Sequence, residues 1–214
     1  MHIESVLTKF KNHHPTILGS DEFSKFSILL PLLKINNETH ILFEVRSEQL
    51  RRQPGEICFP GGRQDESDET EMSTAIRETS EELGISEHLI TDVVPMDFVV
   101  SPFGMVIYPF IGVITEPDVI NPNSSEVGEV FTVPLSYLLA TEPKMYNINV
   151  KLEPEQDFPF GLIVGGENYQ WQNRTIKEYF YFYNDKVIWG LTAKILHYFI
   201  ENLKNKEEGF PSSP

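Results

Sequence analysis

Cysteine is almost absent: Cys58 is the only one in 214 residues. A lone cysteine excludes an intrachain disulfide framework. Lying between Ile57 and Phe59, Cys58 reads as a small buried residue rather than a nucleophile. Positive charge is also scarce, with 17 Lys and Arg against 32 Asp and Glu and a formal net charge of −15. Such a chain repels polyanions at long range, which disfavours a nucleic-acid backbone as partner. No apolar run reaches the roughly 18 residues needed to cross a bilayer. Met1 to Lys11 alternates polar and apolar residues without the apolar centre of a signal peptide. These absences lead to the expectation of a reducing cytoplasm and no membrane partner. There is no Gly-x-Gly-x-x-Gly fingerprint, zinc-ligand spacing or internal repeat. The histidines do not cluster: His13 and His14 are adjacent but far from the acidic motif below, and His40, His88 and His197 are isolated, so all are read as structural or exposed.

What is present suffices for one full core. Hydrophobic residues make up 40% of the chain, and this length is expected to form a single domain over residues 1–203. The stretch from Lys204 to Pro214 reads as a disordered tail. Hydrophobic runs from Phe26 to Lys34 and Thr39 to Arg46, separated by Asn36-Asn37-Glu38, predict a hairpin. Further strands are expected over Val93 to Val100, Met105 to Thr115 and Glu126 to Val133. Pro134 suits the first turn of a short helix ending at Ala140. Asn147 to Leu152 and Glu178 to Tyr183 are expected to pair. Lys186 to Leu203 places Val187, Ile188, Leu191, Ile195, Tyr198 and Phe199 on one helical stripe. The pattern predicts an α/β (α+β) fold, an α/β/α sandwich around a mixed sheet.

The densest chemistry lies in Arg77-Glu78-Thr79-Ser80-Glu81-Glu82-Leu83-Gly84. A helix turns by about 100° per residue, so Glu78, Glu81 and Glu82 share a face. Like charges at that spacing destabilise an isolated helix, and a divalent cation with hard oxygen ligands would offset the repulsion. Asp68 is expected to be the N-cap, with Glu71 completing a capping-box pattern. Met72, Ile76, Thr79 and Leu83 would face the core, leaving Glu78 and Glu82 at its border, and Arg77 can pair with Glu81. Gly84 suits the left-handed position after the helix. Upstream, Glu56 to Phe59 reads as a short strand stopped by Pro60. Gly61-Gly62 would then form a tight turn or a close approach to a ligand.

Gly62, Glu69, Arg77, Glu78, Glu81, Glu82, Gly84 and Ile85 resemble the Nudix box, the signature of hydrolases acting on nucleoside diphosphates linked to another group. The pattern's first glycine falls on Arg63, one place after Gly62, and Thr79 replaces an aliphatic residue; the Arg-Glu-x-x-Glu-Glu centre is intact. A second stretch is similar to the motif before the box in coenzyme A pyrophosphatases. Arg46, Ser47, Leu50, Arg51, Gly55, Ile57 and Phe59 to Gly62 match it, whereas Phe43 and Glu44 replace a leucine and a small polar residue. Ser101 to Gly112 and Glu126 to Leu135 also look like this family, so the likeness covers roughly residues 25–200.

The resemblance implies metal-dependent cleavage of coenzyme A to adenosine 3′,5′-bisphosphate and 4′-phosphopantetheine, or its acyl form, with Mg²⁺ or Mn²⁺ as cofactor. It implies Glu78 and Glu82 as metal ligands and Glu81 as a third ligand or the general base. Arg77 would orient the carboxylates, and a further glutamate outside the box would assist, Glu126 first and Glu129 next. Arg46, Arg51, Gly61, Gly62 and Arg63 are the candidate substrate-binding residues, since guanidinium groups grip phosphate oxygens bidentately; Arg52 is near them in sequence. The partner implied is a small-molecule, coenzyme A-like nucleotide, and a homodimer is compatible with the family. Two alternatives stay open: a Nudix hydrolase of another nucleotide such as ADP-ribose, and a non-catalytic nucleotide-binding regulator.

Overall fold

The computed structural model describes residues 2–205. Its spine is a hairpin of β1 (Ser24–Ile35) and β2 (Glu38–Arg46), paired antiparallel from Ile35↔Glu38 to Leu32↔Ile41. Asn36 and Asn37 turn the chain with φ of 47° and 67°. A two-residue hairpin loop matching strand twist needs such left-handed angles, and asparagine tolerates them better than most residues. After the hairpin come β3 (Ile57–Cys58), β4 (Gly61–Arg63) and the helix α2 (Glu71–Leu83), preceded at the N-terminus by α1 (Ile3–Phe10). The chain continues through β5 (Ile90–Pro95), β6 (Val99–Ser101), β7 (Met105–Ile114), β8 (Val127–Pro134) and α3 (Leu135–Ala140). It ends in β9 (Lys144–Val150), β10 (Arg174–Tyr183), β11 (Lys186–Ile188) and α4 (Gly190–Asn205).

The main sheet is mixed. β1 runs parallel to β7, from Ser24↔Met105 to Leu32↔Val113, while β2 and β4 flank it antiparallel. The path β3-β2-β1-β7-β5 is extended by β8 on β2 and β6 on β7, and a smaller sheet orders as β11-β10-β9. A strand covered on both faces reads as a continuous apolar run, as Ile28 to Leu33 does. Leu29 joins Leu33, Leu42, Ala75, Leu83 and Phe110 on the α2 side. Leu30 joins Ile41, Phe43, Leu138, Leu196 and Ile200 on the α3/α4 side. The expected sandwich is therefore present, with α2 on one face and α3 and α4 on the other.

Five local expectations are corrected. The N-cap of α2 is Thr70, not Asp68. Thr70 is extended and its hydroxyl accepts from the Ser73 amide at 3.0 Å, while Ser73 Oγ accepts from the Thr70 amide at 2.9 Å. The expected strand Val93 to Val100 is divided, since β5 stops at Pro95, which has no N–H for a ladder. Lys186 to Ile188 forms a strand rather than helix: Asn184-Asp185 closes a hairpin in which Tyr183 pairs with Lys186. Helix α4 begins at Gly190 and buries Ala193, Ile195, Leu196, Phe199 and Ile200, while Leu191 and Tyr198 face outward. Lys204 is helical rather than part of a tail, and the remaining expected tail, residues 206–214, lies outside the described residues. Met1 to Lys11, expected only to lack a signal peptide, contains α1, none of whose residues is buried.

Candidate active site

Helix α2 lies across β1, β4, β5 and β7, seated by Ala75, Thr79 and Leu83. Its C-terminus is fastened by the segment that precedes β8. Asn121 N donates to Leu83 O at 3.0 Å and Asn123 N to Glu82 O at 2.9 Å, satisfying carbonyls that a helix end leaves over. Gly84, with φ of 62°, makes this contact feasible, because a Cβ there would strike the Asn121 carbonyl. The same segment delivers Glu126. Its carbonyl accepts from Ser47 N at 2.8 Å, and buried Ser47 also donates from Oγ to Ser124 O at 3.2 Å. The end of β2, the end of α2 and Glu126 are thus tied together.

The carboxylates of α2 have distinct surroundings. Glu82 is only 6% exposed and accepts from the Gly61 amide at 2.7 Å. Burial, then repulsion from Glu44, pushes its pKa up to about 9; Glu78 and Glu126 add to the repulsion. Glu78 is half-buried, its pKa raised by burial against the opposing effect of Arg77. A Cβ on Gly62 would overlap its carboxyl group, so position 62 is empty to admit Glu78 and does not form the expected turn. Gly61 and Gly62 in fact lie in β4 and pair with Ile28 and Ser27. Glu81 is the most exposed of the three, its side chain at 57%.

Arg77 organises this row. Its Nε and Nη2 each lie 2.9 Å from Asp68, on Oδ1 and Oδ2, in a bidentate fork. Nη2 also meets Glu78 Oε1 at 2.9 Å and Nη1 meets Glu81 Oε2 at 3.3 Å. The guanidinium holds the Asp68 carboxyl well below the usual carboxylate range, and Asp68 in turn pushes the Arg77 pKa further up.

The sheet adds two charges beneath the helix. Side chains alternate along a strand, and Leu42 faces the α2 side while Phe43 faces α4. Glu44 and Arg46 therefore point toward α2. Glu44 is 1% exposed, and Cys58, directly opposite on β3, donates its thiol to Glu44 Oε1 at 3.2 Å. Burial raises the Glu44 pKa to about 7, and burial with the neighbouring Glu44 charge pushes the Cys58 thiol up. Glu44 Oε2 and Arg46 Nε are both buried without a hydrogen-bond partner. Among the described residues the Arg46 side chain reaches only the Arg52 carbonyl, from Nη2 at 3.4 Å. The β2–β8 register shifts between Val45 and Arg46, placing a bulge beside this point.

The structure thus brings together Arg46, Gly61, Gly62, Arg77, Glu78, Glu81, Glu82 and Glu126. Arg51 and Arg63 are exposed on adjoining segments, and the Arg63 carbonyl accepts from Arg77 Nη2 at 3.4 Å. Glu129, the second choice for an assisting glutamate, instead accepts from Lys186 Nζ at 2.6 Å. Sequence reasoning missed Asp68, Ser47 and Glu44 as parts of the site. Two of these carried a signal: Glu44 as a charge following the apolar run Ile41 to Phe43, and Ser47 as part of the motif around Arg46.

No group of three His, Cys, Asp or Glu side chains forms a ready-made metal cage among the described residues. The donor set still fits a small hard cation. It consists of carboxylate oxygens, one of them orphaned and buried, and Mg²⁺-like ions bind through few carboxylates while keeping waters and substrate phosphates. No helix among the described residues is long and apolar enough to cross a membrane.

The family model described as NUDIX domain matches residues 31–155. A peroxisomal coenzyme A diphosphatase of Mus musculus is 38% identical over 135 residues, covering 63% of this chain and 56% of that protein. A mitochondrial coenzyme A diphosphatase of Homo sapiens is 36% identical over 126 residues, covering 56% of this chain and 52% of that protein. The match spans just over half the length of these two relatives. The Nudix hydrolase NudL of Photorhabdus laumondii is 30% identical over 178 residues, covering 83% of this chain and 84% of that protein.

Proposed function

This chain belongs to the Nudix family, and from that premise we propose that it is a metal-dependent pyrophosphatase acting on coenzyme A or its derivatives. The products are adenosine 3′,5′-bisphosphate and 4′-phosphopantetheine, or the acylated form of the latter. The observation that carries this reading is that buried Glu82 is surrounded by the carboxylates of Glu44, Glu78 and Glu126 with no cation among its partners within the described residues, while Arg46 on the adjoining strand keeps a buried, unpartnered Nε. A metal-bound diphosphate offers each of them its complement. The motif from Arg46 to Gly62 and the likeness to two proteins named coenzyme A diphosphatases support the substrate.

Glu78 and Glu82 would hold Mg²⁺ or Mn²⁺, with Glu81 as a third ligand or the general base. When bound, the ion lowers the pKa of water and neutralises charge on the bridging and leaving oxygens. Arg77 holds Glu78 and Glu81 in place through its anchor on Asp68. Arg46 grips a phosphate, with Arg51 and Arg63 contributing from the exposed rim. Glu126 serves as the assisting glutamate. Water attacks one phosphorus, the bridging P–O bond breaks, and the leaving phosphate takes the electron pair. The single unpaired Cys58 suits a reducing compartment, read as the cytoplasm.

The test is product identification by mass spectrometry across coenzyme A, its oxidised and acylated forms, ADP-ribose and dinucleoside polyphosphates, with and without Mg²⁺ or Mn²⁺. Adenosine 3′,5′-bisphosphate formed from coenzyme A only with metal is the expected result. Faster turnover of ADP-ribose than of coenzyme A would replace the substrate, and binding without turnover would replace the enzyme by a regulator.

A further inference from the structure

We propose that Glu44 belongs to the carboxylate set that holds the divalent cation, entering from the sheet while Glu78 and Glu82 enter from the helix. The inference rests on the metal-dependent reading of the site. Glu44 stands in an interior strand, flanked by β8 and β3, at 1% exposure. Burying a carboxylate there is costly unless it is paired. One oxygen takes a hydrogen bond from the Cys58 thiol, a weak donor, and the other has none.

Two purely structural roles for Glu44 do not account for its surroundings. An internal ion pair with Arg46 is not formed among the described residues, where Arg46 Nε and Glu44 Oε2 are both buried and unpartnered. A hydrogen-bond anchor between β2 and β3 needs no charge, and a small hydroxyl residue would avoid the desolvation cost. What satisfies both orphans is a ligand presenting positive charge to Glu44 and negative charge to Arg46. A divalent ion carrying a phosphate has that character. Glu44 and Glu82 stand close enough for their charges to repel one another, so the sheet carboxylate and the helix carboxylate are neighbours.

The experiment uses the full chain without nucleotide and Mn²⁺ alone as probe, with free Mn²⁺ counted by electron paramagnetic resonance. Wild type is compared with Glu44→Gln, Glu44→Thr and Glu82→Gln. Removing a ligand or its close support typically weakens metal binding by about 10- to 100-fold, and a loss in that range is expected for both Glu44 variants. The metal-free melting temperature of E44Q should equal or exceed that of wild type, and its rise on adding Mn²⁺ should shrink. Wild-type Mn²⁺ affinity in E44Q or E44T, alongside a weakened E82Q, overturns the role of Glu44 alone. Absence of Mn²⁺ binding by wild type removes the metal-dependent reading and this inference with it. Destabilisation or misfolding of both Glu44 variants without metal assigns the residue to the fold and also overturns the proposal.

Discussion

The Glu78 carboxylate occupies the space that a side chain at position 62 would need. Helix α2 and strand β4 meet there with nothing between the glycine backbone and the acid. Gly62→Ala should therefore displace Glu78 while leaving the fold intact, because the obstructing atoms are the end of a flexible side chain. A misplacement near 1 Å at a reacting centre can cost on the order of 10²-fold in rate, and kcat should fall by about that much. Steady-state kinetics with circular dichroism as the folding control would check it, and unchanged kcat would show that Glu78 has room to spare.

Asp68 is the anchor of the carboxylate row. Asp68→Asn keeps the shape but removes the charge that Arg77 grips through two nitrogens. Hydrogen bonds to charged groups contribute about 1.5–3 kcal/mol, so a stability loss of that order is expected in urea unfolding. Activity should fall as well, since Arg77 would no longer present Glu78 and Glu81 in one arrangement.

The metal-free protein should lose stability as pH rises. Buried Glu82 has its pKa raised to about 9 and Glu44 to about 7, both above the ordinary 4.5. Between the ordinary and raised values the native state holds protons that the unfolded chain has released, so the unfolding free energy falls with pH. Stability from these groups is full below the ordinary pKa and lost through about pH 7 to 9. Chemical denaturation from pH 5 to 9 in chelator should show this slope. Glu82→Gln should flatten it, and an equal slope in that variant would contradict the assignment.

Cys58 should be chemically quiet. Burial and the adjacent Glu44 push its thiol up, which leaves little thiolate at neutral pH. Iodoacetamide at pH 8 should alkylate the folded protein at least about tenfold more slowly than the urea-unfolded chain, read by intact mass. Equal rates would show that the thiol is exposed and ionised.

Much of this arrangement is readable in the chain because its signals are local. The Asn36-Asn37 turn, the apolar runs of β1 and β2, and the Gly84 stop each act within a few residues. The carboxylate face of α2 follows from helical spacing alone. What escaped has partners far away in the chain or competing locally. Asp68 has the form of an N-cap, but Thr70 and Ser73 satisfy the helix start and Arg77 claims the acid. Gly62 is a flexible residue by composition, and only the approach of Glu78 shows that the requirement is emptiness. Lys186 to Ile188 has apolar spacing compatible with a helix, yet the pairing with β10 decides for a strand. Glu44 shows itself as a charge in an apolar strand, but its neighbours come from β3 and α2.

The parallel pairing of β1 with β7 joins positions about eighty residues apart along the chain. Parallel contacts of such separation are slow to form, because loop closure must be accomplished before pairing compensates it. The floor under α2 is made of those two strands, so the box helix cannot be seated early. During folding, the acidic row stays in water until the β7 segment has been synthesised and has closed on β1. The site should therefore acquire its affinity for cations in one late step, together with global folding.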